Sequence, residues 1–179
     1  AFGRHDISDR LNADQHVALE KRAVRRTREM FGDDALNRAT EALVELDNDI
    51  ATAPRFAPLL AYAAHANFMH QVRFGNDGQR TARANSFLAK VSADIPNKRL
   101  AGAGRDIVAG QYPPARGVLK DLLRSDPKNV DAAILLGELE LRARVAKEAV
   151  AAFEQARVAE DSARTRSGLM RALLAAGDL

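Results

Sequence analysis

Along most of the chain, apolar residues return at three- and four-residue steps. Leu36, Ala39, Leu43, Leu46 and Ile50 are one such series, the spacing that lines up side chains on one face of a helix. Val17, Val24 and Phe31 recur at sevens and predict a helix over residues 14–31. Asn12 with Gln15 three residues on has the form of a capping box at its start, and Gly32 is a natural stop. The same periodicity predicts helices over residues 34–51, 56–73, 80–93, 98–109, 114–124, 130–144, 146–160 and 163–176. Alternation of period two never survives more than a few residues. The expected fold class is therefore all-α, with about nine helices, behind a polar and irregular N-terminal arm (residues 1–13). Helix 56–73 is apolar on nearly every side, which predicts burial against neighbours on two faces. Pro54, the turn Gly75-Asn76-Asp77-Gly78 and Pro96 separate the elements. From Asn97 onward the linkers are only a few residues long, which forces neighbouring helices into antiparallel hairpins.

The second half of the chain repeats itself. Gly110-x-Tyr112-x-x-Ala115 is followed by Leu119, Leu122 and Asp126-Pro127-x-Asn129. Ala149 stands 34 residues after Ala115, with Phe153 and Ala156 matching Leu119 and Leu122. Ala133-x-x-Leu136-Gly137 carries the small-large-small pattern of a first helix, and Leu169–Ala172 and Gly177 restart the cycle. These residues resemble the tetratricopeptide repeat family, whose helix-turn-helix unit of about 34 residues carries Trp-x-x-Leu-Gly-x-x-Tyr, then Ala-x-x-x-Phe, then Pro. Leu136-Gly137, Ala149-x-x-x-Phe153 and Pro127 match directly. Ala133 fills the Trp place, Glu140 the Tyr place, and Arg144 stands where Gly110 and Gly177 stand. The resemblance is good over residues 97–179, where the last unit is truncated, and degenerate over residues 14–96. It implies a right-handed αα superhelix of stacked hairpins, since one hairpin cannot bury both of its faces. The chain stops after the first helix of a new unit, so a fragment of a longer repeat protein is expected, and that last helix offers a route to self-association.

Composition narrows the chemistry. The chain has no Cys and no Trp, and its net charge is +3, so disulfides, thiol catalysis and cysteine-held zinc are excluded. No run approaches the roughly 20 apolar residues of a membrane span. The histidines are His5, His16, His65 and His70; no HExxH or phosphate-binding loop exists, and His65 reads as a core residue. Gly102 and Gly104 fall inside a predicted helix and read as packing glycines. Asp33, Asp34, Glu138 and Glu140 read as helix-start and surface charges. No catalytic, metal or cofactor site is expected. The basic run contains Arg22, Arg25 and Arg26 on one helical face. It lacks the interleaved aromatics of a single-strand binder and reads as a solvated face. Binding of nucleic acid or an anionic surface through it is the alternative function.

The family resemblance also implies a binding mode. The first helices of the hairpins would line a concave groove for a peptide or helix of a partner protein. By register its residues would be Leu100, Ile107, Asp131, Ile134, Glu138, Leu141, Arg142, Arg164 and Arg171; packing of these residues against adjacent hairpins is the competing reading. The family's clamp for a terminal carboxylate is not expected, because its places hold Leu100, Ala101, Gly104 and Leu135. The expected function is a non-catalytic scaffold, with secretion, pilus or polysaccharide-export assemblies of bacteria as the context the resemblance implies. A regulatory arm of a larger enzyme is a further alternative.

Overall fold

The computed structural model describes residues 11–32 and 35–177. The expectations for the arm before Leu11, for Asp33 and Asp34, and for the last two positions lie outside the described residues. Among the described residues every regular element is a helix: α1 (Ala13–Met30), α2 (Leu36–Thr52), α3 (Ala57–Phe74), α4 (Gly78–Leu88), α5 (Pro96–Val108), α6 (Tyr112–Ser125), α7 (Val130–Arg142), α8 (Ala146–Ala159) and α9 (Ala163–Ala176). The chain is all-α.

Local chemistry sets the starts. Gln15 N donates to Asn12 Oδ1, and Asn12 N to Gln15 Oε1, both at 2.9 Å, so the capping box opens α1 as expected. Asp77 accepts from Gln79 N and Arg80 N and starts α4; Asn129 accepts from Ala132 N and starts α7. Pro58, Pro96 and Pro113 stand in the first turns of α3, α5 and α6, where a missing N–H costs nothing. The largest departure from the predicted boundaries is the end of α4, at Leu88 rather than residue 93. Val91 turns into the core, and Ile95, held extended before Pro96, cannot be helical. On α1 the buried residues are Leu19, Ala23 and Thr27. Val17, which shares a seven-residue spacing with Val24 and Phe31, is 44 % exposed.

Consecutive helices pack on one another, and α1 also packs on α3, α3 on α5, α5 on α7 and α7 on α9. Two further contacts, α3 with α7 and α1 with α9, turn the row of odd-numbered helices in on itself. As a result α3 is buried from Leu59 to Val72 and α7 from Val130 to Glu140. Close approach depends on small residues. Phe68 lies over Gly104, where a Cβ would stand 2.9 Å from its own. Gly102 has open space around it, so only one of the two glycines is a packing glycine. Phe153 on α8 is fully buried and clamped between Gly137 on α7 and Gly168 on α9. Added Cβ atoms at those glycines would come within 2.6 Å and 2.2 Å of the ring.

The repeat has a backbone signature. Gly110, Arg144 and Gly177 all adopt positive φ, at 77°, 60° and 78°, each just after an odd-numbered helix. Arg144 is the sole non-glycine among the described residues to do so.

Two substitutions test this packing. Gly168→Ala should lower unfolding free energy by about 1–3 kcal/mol, because Gly137 blocks the ring's retreat. Arg144→Gly should raise it by about 0.5–1 kcal/mol by relieving the left-handed conformation. Urea unfolding followed by circular dichroism reads both.

Candidate functional site

The face of α7 that carries Asp131, Ile134, Glu138 and Leu141 was assigned by register to an open groove. The structure does bring these residues onto one side of α7, but the chain itself covers them. Asp131 accepts from Arg28 Nη2 of α1 at 2.5 Å through Oδ2, and from Arg164 Nη1 of α9 at 2.6 Å through Oδ1. Two turns along, Glu138 accepts from Arg171 of α9 at 2.5 and 3.0 Å. Arg73 Nε of α3 lies 3.9 Å from the same carboxylate, while Arg73 Nη1 donates to Phe31 O at the end of α1. Arg142 donates to the carbonyls of Gln71 and Val72, each at 3.1 Å, and so satisfies the last turn of α3. Ile134 is 4 % exposed, and Leu141 is half-buried. Leu100 and Ile107 are packed in the core and line no open groove. On the opposite side of α7, Glu140 accepts two bonds from Arg116 of α6 at 2.6 and 2.8 Å. Glu138 and Glu140 are therefore buried partners of arginines, not surface charges.

The electrostatics follow from burial. Burial alone would raise the Asp131 carboxyl, but Arg164 and Arg28 outweigh it and hold the group well below the usual carboxylate range. Burial raises the Tyr62 phenol further above its ordinary value. His65 lies beside these groups on α3, its ring 5.9 Å from that of Tyr62; burial pushes it down to about 4. His70 is likewise lowered to about 4 by burial, with Arg80 adding to the effect; its Nε2 lies 3.2 Å from Thr40 Oγ1. Burial lowers Arg73 to about 10, which leaves it charged at neutral pH.

An open cleft of about 740 Å³ remains between α1 and the start of α9. Its lining includes Lys21, Arg25 and Glu29 on α1, Asn97 at the start of α5, and Asp131 and Arg164 below. The three basic residues singled out on α1 divide. Arg26 is paired with Asp49 of α2 and donates to Glu45 O at 3.2 Å, and Arg22 lies 3.8 Å from Asp49. Arg25 faces the cleft. Among the described residues no group of three or more His, Asp or Glu could hold a metal ion, and no helix is long and apolar enough to cross a membrane. Arg28, Tyr62 and Arg73 were missed from sequence because their partners are remote; Arg28 and Asp131 are 103 residues apart. The available signal was the two carboxylates Asp131 and Glu138 on a helix otherwise apolar over that stretch, which demands cationic partners.

A scan against protein-family models, a search of curated proteins and a search of solved structures each return no match.

The pH dependence of stability follows from the buried groups. His65 and His70 have folded values near 4 against an ordinary 6.5, so the unfolded chain takes up protons first as pH falls. Their contribution is complete above about pH 6.5 and is lost down to about pH 4, at up to about 1.4 kcal/mol per histidine per pH unit. Asp131 adds a further loss below about pH 4, where the unfolded carboxyl protonates before the folded one. Urea midpoints should therefore fall steadily from pH 7 to pH 4, and His65→Gln should lessen that slope by nearly half.

Proposed function

We propose that the chain is a non-catalytic interaction scaffold of the tetratricopeptide type, a right-handed superhelix of helical hairpins. It holds a peptide or helical segment of a partner protein in the cleft between α1 and α9. The observation that carries this reading is the repeated geometry. Helices α5, α7 and α9 start 34 and 33 residues apart, and each is followed by a left-handed residue at the same place. The cleft is the part of the concave side that α1 leaves open. It offers cationic, anionic and apolar lining together, which suits a partner segment of mixed character and involves no chemical step. A place in a larger bacterial assembly is the context that fits such a scaffold.

Binding of nucleic acid or an anionic surface through α1 is the rival reading. Asp49 and Glu45 stand against it, because they offset the charge of Arg22 and Arg26.

Capture from a nuclease-treated lysate of the source organism tests the reading. The native chain is compared with Lys21→Glu/Arg25→Glu, both exposed positions, after circular dichroism shows equal folding. A protein retained by the native chain and reduced at least about tenfold by the variant, a loss of about 1.4 kcal/mol, is the expected result. Equal capture by both removes the cleft from the reading. Oligonucleotide binding that weakens steeply with salt and is lost in Arg22→Glu favours the rival.

A further inference from the structure

A second open cleft, of about 490 Å³, lies between the end of α4 and one side of α5. That volume is within the ordinary range of ligand pockets, roughly 300–1,000 Å³. None of its lining residues belongs to the cleft between α1 and α9. Lys98, Gly102 and Arg105 line the α5 wall; their four- and three-residue steps put them on one side of that helix. Leu88 and Ala89 give the α4 wall its apolar part. Gly102 stands in the middle of its wall. A glycine inside a helix is less favourable than alanine. The other glycine of α5, Gly104, is explained by the Phe68 packed over it. A Cβ at Gly102 would meet no atom within 4 Å, so the chain's own packing does not call for glycine there. What the missing side chain does is leave room in the cleft.

Charge gathers at the same place. Residues 78–105 carry six cationic side chains and a single carboxylate, Asp94. Arg80 and Arg83 are paired with Asp77 and Asp47. Arg105 lies 3.4 Å from its neighbour Asp106, and Lys98 Nζ donates to the carbonyl of Ser92 at 3.4 Å. Arg99 also lines the cleft and has no ion pair among the described residues. Lys98, Arg99 and Arg105 thus stand against Asp94 in the lining, and the balance is positive even with Asp106 counted. A cleft of one predominant sign draws partners of the opposite sign. No aromatic ring lines it, so bases would have nothing to stack on. Asn85 and Asp94 in the lining can accept from the backbone N–H groups of a peptide, donors that a phosphate strand does not offer. An apolar wall facing cations suits a segment in which carboxylates flank an apolar side chain.

We propose that this cleft is a second interaction surface, which takes an acidic segment of a partner protein. An apolar side chain of the segment seats over Gly102 against Leu88, and flanking carboxylates meet Lys98, Arg99 and Arg105. This surface stands independently of the cleft between α1 and α9.

A random peptide library displayed on phage, panned against the full chain, is the probe. Enriched sequences should carry two or more Asp or Glu around one Leu, Ile, Val or Met. An enriched peptide, made synthetically, is then titrated by fluorescence anisotropy. Lys98→Glu/Arg99→Glu, checked for folding by circular dichroism, should weaken it at least about tenfold. Gly102→Leu puts a better helix former where there is space; it should keep or raise the thermal midpoint and yet weaken the peptide to a similar degree. Lys21→Glu/Arg25→Glu should bind the peptide as the native chain does, which separates this result from any failure of the other cleft. An enriched set without acidic residues, equal binding by Gly102→Leu or by Lys98→Glu/Arg99→Glu, or tighter binding of an oligothymidylate of equal charge overturns the proposal.

Discussion

Asp131 is a carboxylate buried among apolar side chains, and such a group is tolerable only if its charge is matched. It is matched from two directions at once, by Arg28 from α1 and by Arg164 from α9. Neither arginine is near it in sequence. Satisfying it therefore fixes how the first described helix lies against the last. Glu138, two turns along, repeats the device with Arg171 and Arg73. Arg73 also reaches the carbonyl of Phe31 at the end of α1. The closure of the odd-numbered helices thus runs through two carboxylates on one face of α7. Buried ion pairs add little net stability compared with apolar packing. What they contribute here is placement, because a helix shifted by one turn would strand a charge.

This placement changes what the repeat can do. In an open stack of hairpins, the face of α7 bearing Asp131, Ile134, Glu138 and Leu141 would be available to a partner. In this chain α1, α3 and α9 occupy it, and Leu100 and Ile107 are interior. The open surface that remains on this side is the cleft above Asp131. Its walls are set by the same ion pairs that close the fold. The shape of the cleft and the seating of α1 are consequently parts of one arrangement.

The helices were legible because their signals are local. Asn12 with Gln15, Asn129, and the prolines at the starts of α3, α5 and α6 mark boundaries regardless of what packs where. The end of α4 was misread because Ala84, Phe87, Leu88 and Val91 continue a helical pattern that Pro96, acting through Ile95, interrupts from outside the element. The buried stripe of α1 was hard to read from the sequence for a different reason. Leu19, Ala23 and Thr27 form it, and two of those three are too small or too polar to stand out beside Val17. On α7 the register assigned Asp131, Ile134, Glu138 and Leu141 to an open groove and could not show that the chain itself covers them. The residues that cover them, Arg28 and Arg73, lie in the stretch where the repeat is most degenerate. Arg28 was also hidden inside a basic run whose other members face outward or toward α2.

The most direct measurement of the central claim is a double-mutant cycle on Arg28 and Asp131, with Arg28→Ala, Asp131→Ala and the pair compared by urea unfolding. If Asp131 holds α1 in place, the two losses will overlap, with a coupling of at least about 1.5 kcal/mol, within the range for buried charged partners in contact. Losses that add within about 0.5 kcal/mol, as independent sites do, would contradict the closure of the fold through this residue.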